Sequence, residues 1–460
     1  MSMFRKVSLK DMLHYAIDYY TFLYSDDNIA PHICVYSPAS AYIFGEHSDY
    51  NRSFAMSMTL PMTVMVIVGF NNRKVINIAT DGACGRKLVE RYPLKGFEDC
   101  IKDAPCWVQM TLWTLCAFKD KLEEGVNIAY VSSIPIGIGL GSSTALTTAM
   151  FTAVEALIDK HYLRLRPKVK LCIDIETYGL NTLCGCAQQM TVFCAEKGYA
   201  LMMDCRTLIA SYIPIQKWPV VFIITYSDKE RLIKETRFKE RIEECKKAAY
   251  MLGLTTLGEA TSSLLCAMRG AIDETLFKRA THVVEEELRM FDAARALKRG
   301  DYGAFGLMML QSHYSLKDNF EVSTKEIDEL VNFSMACPGV YGSKLTGIGF
   351  GGCTLTLVHC DYVEEFKEMM DTNYCGGECK FMIAKSWGSL KVISFEMRNS
   401  LFKKNIYPES AFKFGEVQDG KTKPSQRFMS MYLNDESLVE FGRAKKYLKP
   451  KKKRKTRRTK

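Results

Sequence analysis

Apolar residues recur at Leu9, Met12, Leu13, Ala16, Tyr20 and Leu23, spacings of one, three and four that predict an amphipathic helix within residues 5–25. Short apolar runs then predict strands near 33–36, 41–44, 62–70 and 75–79. A helical pattern over 107–124 leads into a strand at 127–131, a Gly/Ser loop at 135–144 and a helix from about 143 to 158. Another helix near 170–180 precedes a strand at 199–204. After Pro214 and Pro219, the run Val220 to Thr225 predicts a strand that opens a second domain. Helical patterns fill 232–252, 276–298 and 301–314; a strand–turn–strand fits 344–360, followed by a helix at 362–371 and a strand at 389–396. Beyond Glu396 the chain turns polar, an extension that is mostly loop with room for a short helix. The pattern therefore divides into a domain at 1–215, a second at 216–396 and an extension at 397–460, with no internal repeat.

Composition adds bounds. At 460 residues and 47% hydrophobic content the chain can bury a core large enough for two domains. No run of about 18 apolar residues occurs, which argues against a membrane span. The opening MSMFRKVSLKDM lacks the apolar core of a secretory signal, and the 17 cysteines show no disulfide framework and no metal-type CxxC pair. Reduced thiols in a cytoplasmic protein, a monomer, is the expectation. The net charge of +10 comes from one place: residues 443–460 hold 12 Lys and Arg and no acid, leaving 50 basic against 52 acidic residues elsewhere. The body is not a diffuse nucleic-acid-binding surface. The tail, Lys449-Pro450-Lys451-Lys452-Lys453-Arg454-Lys455, reads equally as a polyanion- or import-receptor-binding segment that would carry the chain to the nucleus, or as a solvated charged end.

Three polar stretches suggest chemistry. Gly45-Glu46-His47-Ser48-Asp49-Tyr50-Asn51 displays acceptor-rich side chains straight after an apolar run. Any one of them alone is best read as part of a capped, solvated turn. Pro135 to Thr144 (PIGIGLGSST) is a strand end, a Gly-rich turn and a helix start, where backbone N–H groups and a helix N-terminus can approach an anion. It does not match GxxxxGK[ST], and alone it is more often a turn. A second Gly-rich stretch, Lys344 to Cys353 (KLTGIGFGGC), reads alone as a tight hairpin.

In this order, GEHSDYN, PIGIGLGSST and KLTGIGFGGC resemble the three signature motifs of the GHMP small-molecule kinases, specifically the galactokinases. Met203-Asp204-Cys205-Arg206, Ser315-Leu316-Lys317-Asp318, Glu321-Val322-Ser323 and Pro338 to Ser343 extend the resemblance over roughly residues 25–395. It implies an α+β, two-domain GHMP kinase fold, with an N-terminal domain like ribosomal protein S5 domain 2 and a C-terminal ferredoxin-like α/β sandwich. It also implies ATP, Mg²⁺ and galactose or a related monosaccharide as ligands. Glu46, His47, Asp49, Gly185 and Phe238 match sugar-binding positions. Gly137, Gly139, Gly141, Ser142 and Ser143 match the phosphate loop, Trp107 an aromatic beside the adenine, and Ser143 with Glu176 the Mg²⁺ ligands. Without the resemblance, Trp107 reads as a core aromatic.

Two departures stand at the reacting centre. The family carries an Arg four residues before the position of Phe44, and this chain has Ser40. Counting back from Asp204-Cys205-Arg206 places Gln188 where the family has its catalytic Asp. Phe238 replaces a sugar-contacting Tyr, Thr144 a small Ala and Ala39 a Gly. A neutral amide cannot accept the proton of the sugar C1 hydroxyl as a carboxylate does. Losing Arg and Asp together costs less than losing one, since neither is left unpaired. The expectation is a scaffold that binds ATP–Mg²⁺ and sugar but transfers phosphate weakly or not at all. A fully active galactokinase, an N-acetylgalactosamine kinase and a ligand-closing sensor are the competing readings.

Overall fold

Ser8 accepts a hydrogen bond from the Asp11 amide and so starts α1 (Leu9–Leu23), satisfying a donor that the helix itself cannot. The computed structural model describes residues 8–25, 30–81, 88–158, 163–215, 219–231, 236–374, 380–397 and 412–416. β1 (Ile33–Phe44) and β2 (Phe54–Asn71) pair antiparallel. β1 unites the two short strands expected at 33–36 and 41–44. The intervening SPAS segment is no break: Ser37 Oγ lies 2.9 Å from Thr148 Oγ1, and Pro38 sits at a register shift where its missing N–H is tolerated.

The chain continues through β3 (Val75–Thr80), β4 (Leu88–Pro93), α2 (Cys106–Cys116), β5 (Gly125–Ser132), α3 (Ser142–Ile158), α4 (Leu165–Leu180), α5 (Ala187–Cys194), β6 (Tyr199–Asp204) and β7 (Ile209–Pro214). The helix expected to reach 124 stops at Cys116. The turn after it lets Phe118 and Leu122 both reach the core while Lys119–Lys121 stay outside. β8 (Val220–Tyr226), α6 (Phe238–Met251), α7 (Ser262–Met268), α8 (Glu274–Arg299), α9 (Tyr302–Tyr314), α10 (Lys325–Ala336), β9 (Val340–Thr346), β10 (Cys353–His359), α11 (Val363–Asn373) and β11 (Phe381–Ala384) follow. β12 (Lys391–Met397) and β13 (Phe412–Glu416) close the series.

These strands form two sheets, as the two-part α+β expectation requires. The first runs β13-β12-β1-β2-β5-β3-β4, with β6 paired to β2 and β7 to β6; the second runs β11-β8-β10-β9. Period-two alternation explains the layers. Val35, Val64, Val66 and Val68 face the large core with α3, while Cys34, Tyr36, Met65 and Ile67 face α1. In the second sheet, Phe222 and Ile224 meet Phe305 and Met309 of α9, and Ile223 and Val358 meet Phe366 and Met370 of α11.

β12 lies beyond the whole second sheet in sequence, yet it pairs with β1 of the first. β13 is a strand where loop or helix was expected, paired antiparallel to β12. The remaining extension, including the basic tail at 443–460, falls outside the described residues. Among the described residues the cysteines are free thiols, and no helix is long and apolar enough to cross a membrane.

Candidate active site

A cleft of about 600 Å³ draws its walls from both halves of the chain, including Glu46, His47 and Asp49 from the loop after β1 and Phe238, Gly347 and Ile348 from the second half. That size and mixture suit a small-molecule site. Trp107, Gly137, Gly139, Gly141, Ser142, Ser143, Glu176, Gly185 and Gln188 line the same cleft. Of the residues that the resemblance assigns to ligands or catalysis, Ser40 alone is not on the wall. It is fully buried, its hydroxyl 2.7 Å from where a Cβ on Gly141 would lie.

The 45–51 loop is buried and held from several directions. Asp49 Oδ2 accepts from Tyr42 OH at 2.8 Å and from the Ala187 amide at 3.2 Å, while Oδ1 accepts from the Tyr50 amide at 2.9 Å. Burial pushes the Asp49 pKa up against these donors. Gly185 must be glycine, because a Cβ there would sit 1.8 Å from Asp49 Oδ2. His47 has a φ of 65°, and its Nε2–H donates to Ile348 O at 3.1 Å, so Nδ1 accepts from Tyr50 OH at 2.9 Å. Burial holds that imidazole neutral, its pKa well below the usual value. Phe238 packs its ring against His47 and Tyr50.

Glu46 was expected to offer its carboxylate to a ligand. The Lys344 ammonium takes Oε2, and only Oε1 is left, buried without a partner among the described residues. Burial pushes the Glu46 pKa up to about 7 even so. Lys344 also faces Glu286, which accepts from the Gly45 amide at 3.0 Å, Ser312 Oγ at 2.7 Å and Arg289 Nε at 2.9 Å. Next to this chain, His282 Nε2–H donates to Glu46 O at 3.0 Å. None of Lys344, Glu286, His282, Arg289 or Tyr42 was singled out for a role. The signal was available for three: His282, Glu286 and Arg289 fall at i, i+4 and i+7 on the face of α8 that carries Val283, Met290 and Ala293. Polar groups interrupting an apolar stripe are buried only with partners.

The first glycine loop delivers α3. Gly139 has a φ of 86°, a conformation glycine adopts freely, and the helix begins at Ser142, with Ser142 and Ser143 on the cleft wall. The second glycine loop abuts the first: a Cβ on Gly347 would lie 2.9 Å from Gly139 O. Ser143 Oγ donates to Glu176 Oε1 at 2.5 Å, and Gln189 Nε2 to Glu176 Oε2 at 2.6 Å. Thr144 Oγ1 lies 3.0 Å from each Glu176 oxygen and 3.4 Å from Gln188 Oε1. Thr144 was read as a mild change. Its hydroxyl lies between Glu176 and position 188. Gln188 Nε2 lies 3.2 Å from the Cβ position of Gly141, so Ser40 and Gln188 meet at one glycine.

The galactokinase galactose-binding signature matches residues 20–70, the GHMP kinases N terminal domain residues 109–196, and the GHMP kinases C terminal family residues 293–375. A galactokinase of Homo sapiens is 33% identical over 366 residues, covering 79% of this chain and 93% of that one. A galactokinase of Clostridium acetobutylicum is 30% identical over 348 residues, 74% of this chain and 88% of its own. Among solved structures, Lactococcus lactis galactokinase complexed with galactose superposes with a TM-score of 0.75 at 25% identity, over 82% of this chain and 99% of that one. Methanococcus jannaschii mevalonate kinase shares the fold, with a TM-score of 0.54 at 20% identity over 78% of this chain and 99% of its own.

Proposed function

The chain belongs to the galactokinase family of GHMP kinases, and on that footing we propose that it binds ATP–Mg²⁺ and galactose but transfers phosphate to the sugar C1 hydroxyl weakly or not at all. The observation that carries this reading is the meeting of Ser40 and Gln188 at Gly141, beside an otherwise complete cleft. In the family these positions hold a cation and a carboxylate. Here they hold a hydroxyl without a partner among the described residues and a neutral amide.

Binding has its parts in place. Asp49 and the free Oε1 of Glu46 offer acceptors to sugar hydroxyls, with Gly185 keeping the space beside Asp49 clear, while His47, both ring nitrogens already bonded within the protein, offers a fixed ring face. Phe238 supplies apolar contact and no hydroxyl. Trp107 lies on the same wall for the adenine, and the amides at the start of α3 face the phosphates. Glu176 and Ser143 put a carboxylate and a hydroxyl oxygen side by side, a donor set suited to a hard cation that keeps phosphate and water as its other ligands. When bound, Mg²⁺ supplies charge neutralisation on the phosphates. Gln188 can orient the C1 hydroxyl by hydrogen bonding but cannot take its proton.

Calorimetric titration with ATP–Mg²⁺ and with galactose, beside ADP release measured with a sugar panel on the same sample, tests the reading. Binding of both with little turnover is expected. Turnover of galactose at about 1–100 per second, as in working kinases, would replace this reading with an active enzyme, and turnover of N-acetylgalactosamine alone would make it a kinase of that sugar. Absence of binding to either ligand would remove the reading altogether.

A further inference from the structure

A groove of about 610 Å³ lies apart from the cleft, between α8 and the end of α9. One wall is a single face of α8, where Glu285, Leu288, Arg289 and Asp292 fall at i, i+3, i+4 and i+7. Opposite, α9 is continued by one π turn, Ser315–Asn319, which sets Asp318 on the wall beside Tyr314. Leu288 and Tyr314 stand open on the groove, 51% and 46% exposed. Arg289 lines it although it is only 8% exposed. Its Nε donates to Glu286 at 2.9 Å and its Nη1 to Glu285 at 3.1 Å, but its Nη2 is buried without a partner among the described residues. A buried donor left unpaired is costly, so the groove has an acceptor still to be supplied. Ser315 ties this wall to the sugar loop: its Oγ lies 3.0 Å from His282 Nδ1, and His282 donates on to Glu46 O.

The charges on the walls select against an ionic occupant. Two carboxylates already meet Arg289, and Asp318 beside them disfavours an anion. Glu285 and Asp292 are themselves paired, with Arg289 and Arg295, so no cation is called for either. What the groove offers is a donor at Nη2, carboxylate oxygens with spare lone pairs, and apolar faces on Tyr314 and Leu288. A sugar carries the complement of all three: hydroxyls that accept and donate, and C–H faces that pack on a ring. We propose that this groove is a second sugar site, separate from the cleft, which takes a neutral monosaccharide against Tyr314 with its hydroxyls on Asp318 and Arg289.

Equilibrium dialysis of the full chain against labelled galactose counts sites in wild type, Asp49→Ala, Asp318→Ala and Tyr314→Ala. Wild type should hold two galactose molecules per chain. Asp49→Ala should lose one, and Asp318→Ala and Tyr314→Ala should each weaken the other at least about 10-fold, the scale of a lost charge-assisted hydrogen bond or packed face. Asp318 and Tyr314 are exposed, so both variants should melt with wild type. Should Asp49→Ala not fold, the fall from two sites to one in Asp318→Ala carries the comparison. Inorganic phosphate and spermidine should leave the sugar held in Asp49→Ala undisturbed. A single wild-type site that vanishes in Asp49→Ala overturns the proposal and leaves the cleft reading standing. A single site that survives Asp49→Ala and is lost in Asp318→Ala supports the groove and rejects the cleft reading. A second site unmoved by either groove substitution, or one emptied by phosphate or spermidine, overturns the proposal. Wild type that holds no galactose rejects both readings.

Discussion

Restoring the two missing groups, Ser40→Arg with Gln188→Asp, should raise galactose-dependent ADP release at least about 100-fold. The two side chains approach the same point on Gly141, 2.7 Å for Ser40 Oγ and 3.2 Å for Gln188 Nε2, so a guanidinium and a carboxylate there can pair. General-base catalysis is typically worth about 10²–10⁴-fold and a cation on the transferring phosphate about 10³–10⁵-fold, but groups acting as a unit do not add. The lower end of the base term is therefore the defensible figure. Each single change should do less. Asp at 188 alone joins Glu176 and Asp49, carboxylates whose pKa values burial already raises, and a third acid among them is held protonated and is a poor base. Arg at 40 alone places a charge at a fully buried position without a partner, which should lower the melting temperature. Ala39, also fully buried at the β1 register shift, limits how far the backbone can move to admit it. A coupled ADP-release assay on all four proteins, with thermal unfolding alongside, gives a double-mutant cycle in rate and in stability. A double variant that folds, binds both ligands and turns over no faster than wild type would refute the reasoning.

Gly185→Ala should weaken galactose binding as Asp49→Ala does, by at least about 10-fold, because its Cβ would lie 1.8 Å from Asp49 Oδ2; calorimetry showing full affinity in either variant would detach the loop from the sugar. His282 is held by burial at a pKa of about 4 against an unfolded 6.5, so it contributes stability above pH 6.5 that is lost as pH falls towards 4. The urea-unfolding gap between wild type and His282→Gln should therefore shrink on acidification, by up to about 3 kcal/mol, and a gap constant from pH 7.5 to 4 would contradict the assignment. A fluorescent reporter fused to residues 443–460 should concentrate in the nucleus if that tail is an import segment; even distribution would leave it a solvated charged end.

Much of the fold was legible because it is written in period. The strands at 75–79, 127–131 and 199–204 and the long helices at 276–298 and 301–314 carry apolar residues at the spacing of their geometry, and they lie within a few residues of the observed bounds. α10 was missed although it carries the period, with Ile327, Leu330, Val331 and Ser334 buried on one face; two other missed elements lack it. α5 is buried nearly all round and β4 is an edge strand with mostly exposed residues, so neither alternates cleanly. The candidate site followed the same rule. Loops with local signatures were visible, and their members converge on one cleft. Lys344 was not, because its role depends on contacts with Glu46 and Glu286, far from it in sequence, which no local pattern records.

The pairing of Ile33 with Ser394 through Tyr36 with Lys391 also sets an order of assembly. While the chain is being made, β1 can pair with β2 early, but its other edge waits for β12. At typical rates of synthesis that wait is on the order of 20–70 s. Throughout it, a largely apolar strand edge has only solvent or another nascent chain to bond. β12 therefore serves as a lock on the first strand, and loss of residues 391–397 would leave the opening sheet with the exposed edge that drives chain-to-chain pairing, even with every cleft residue still present.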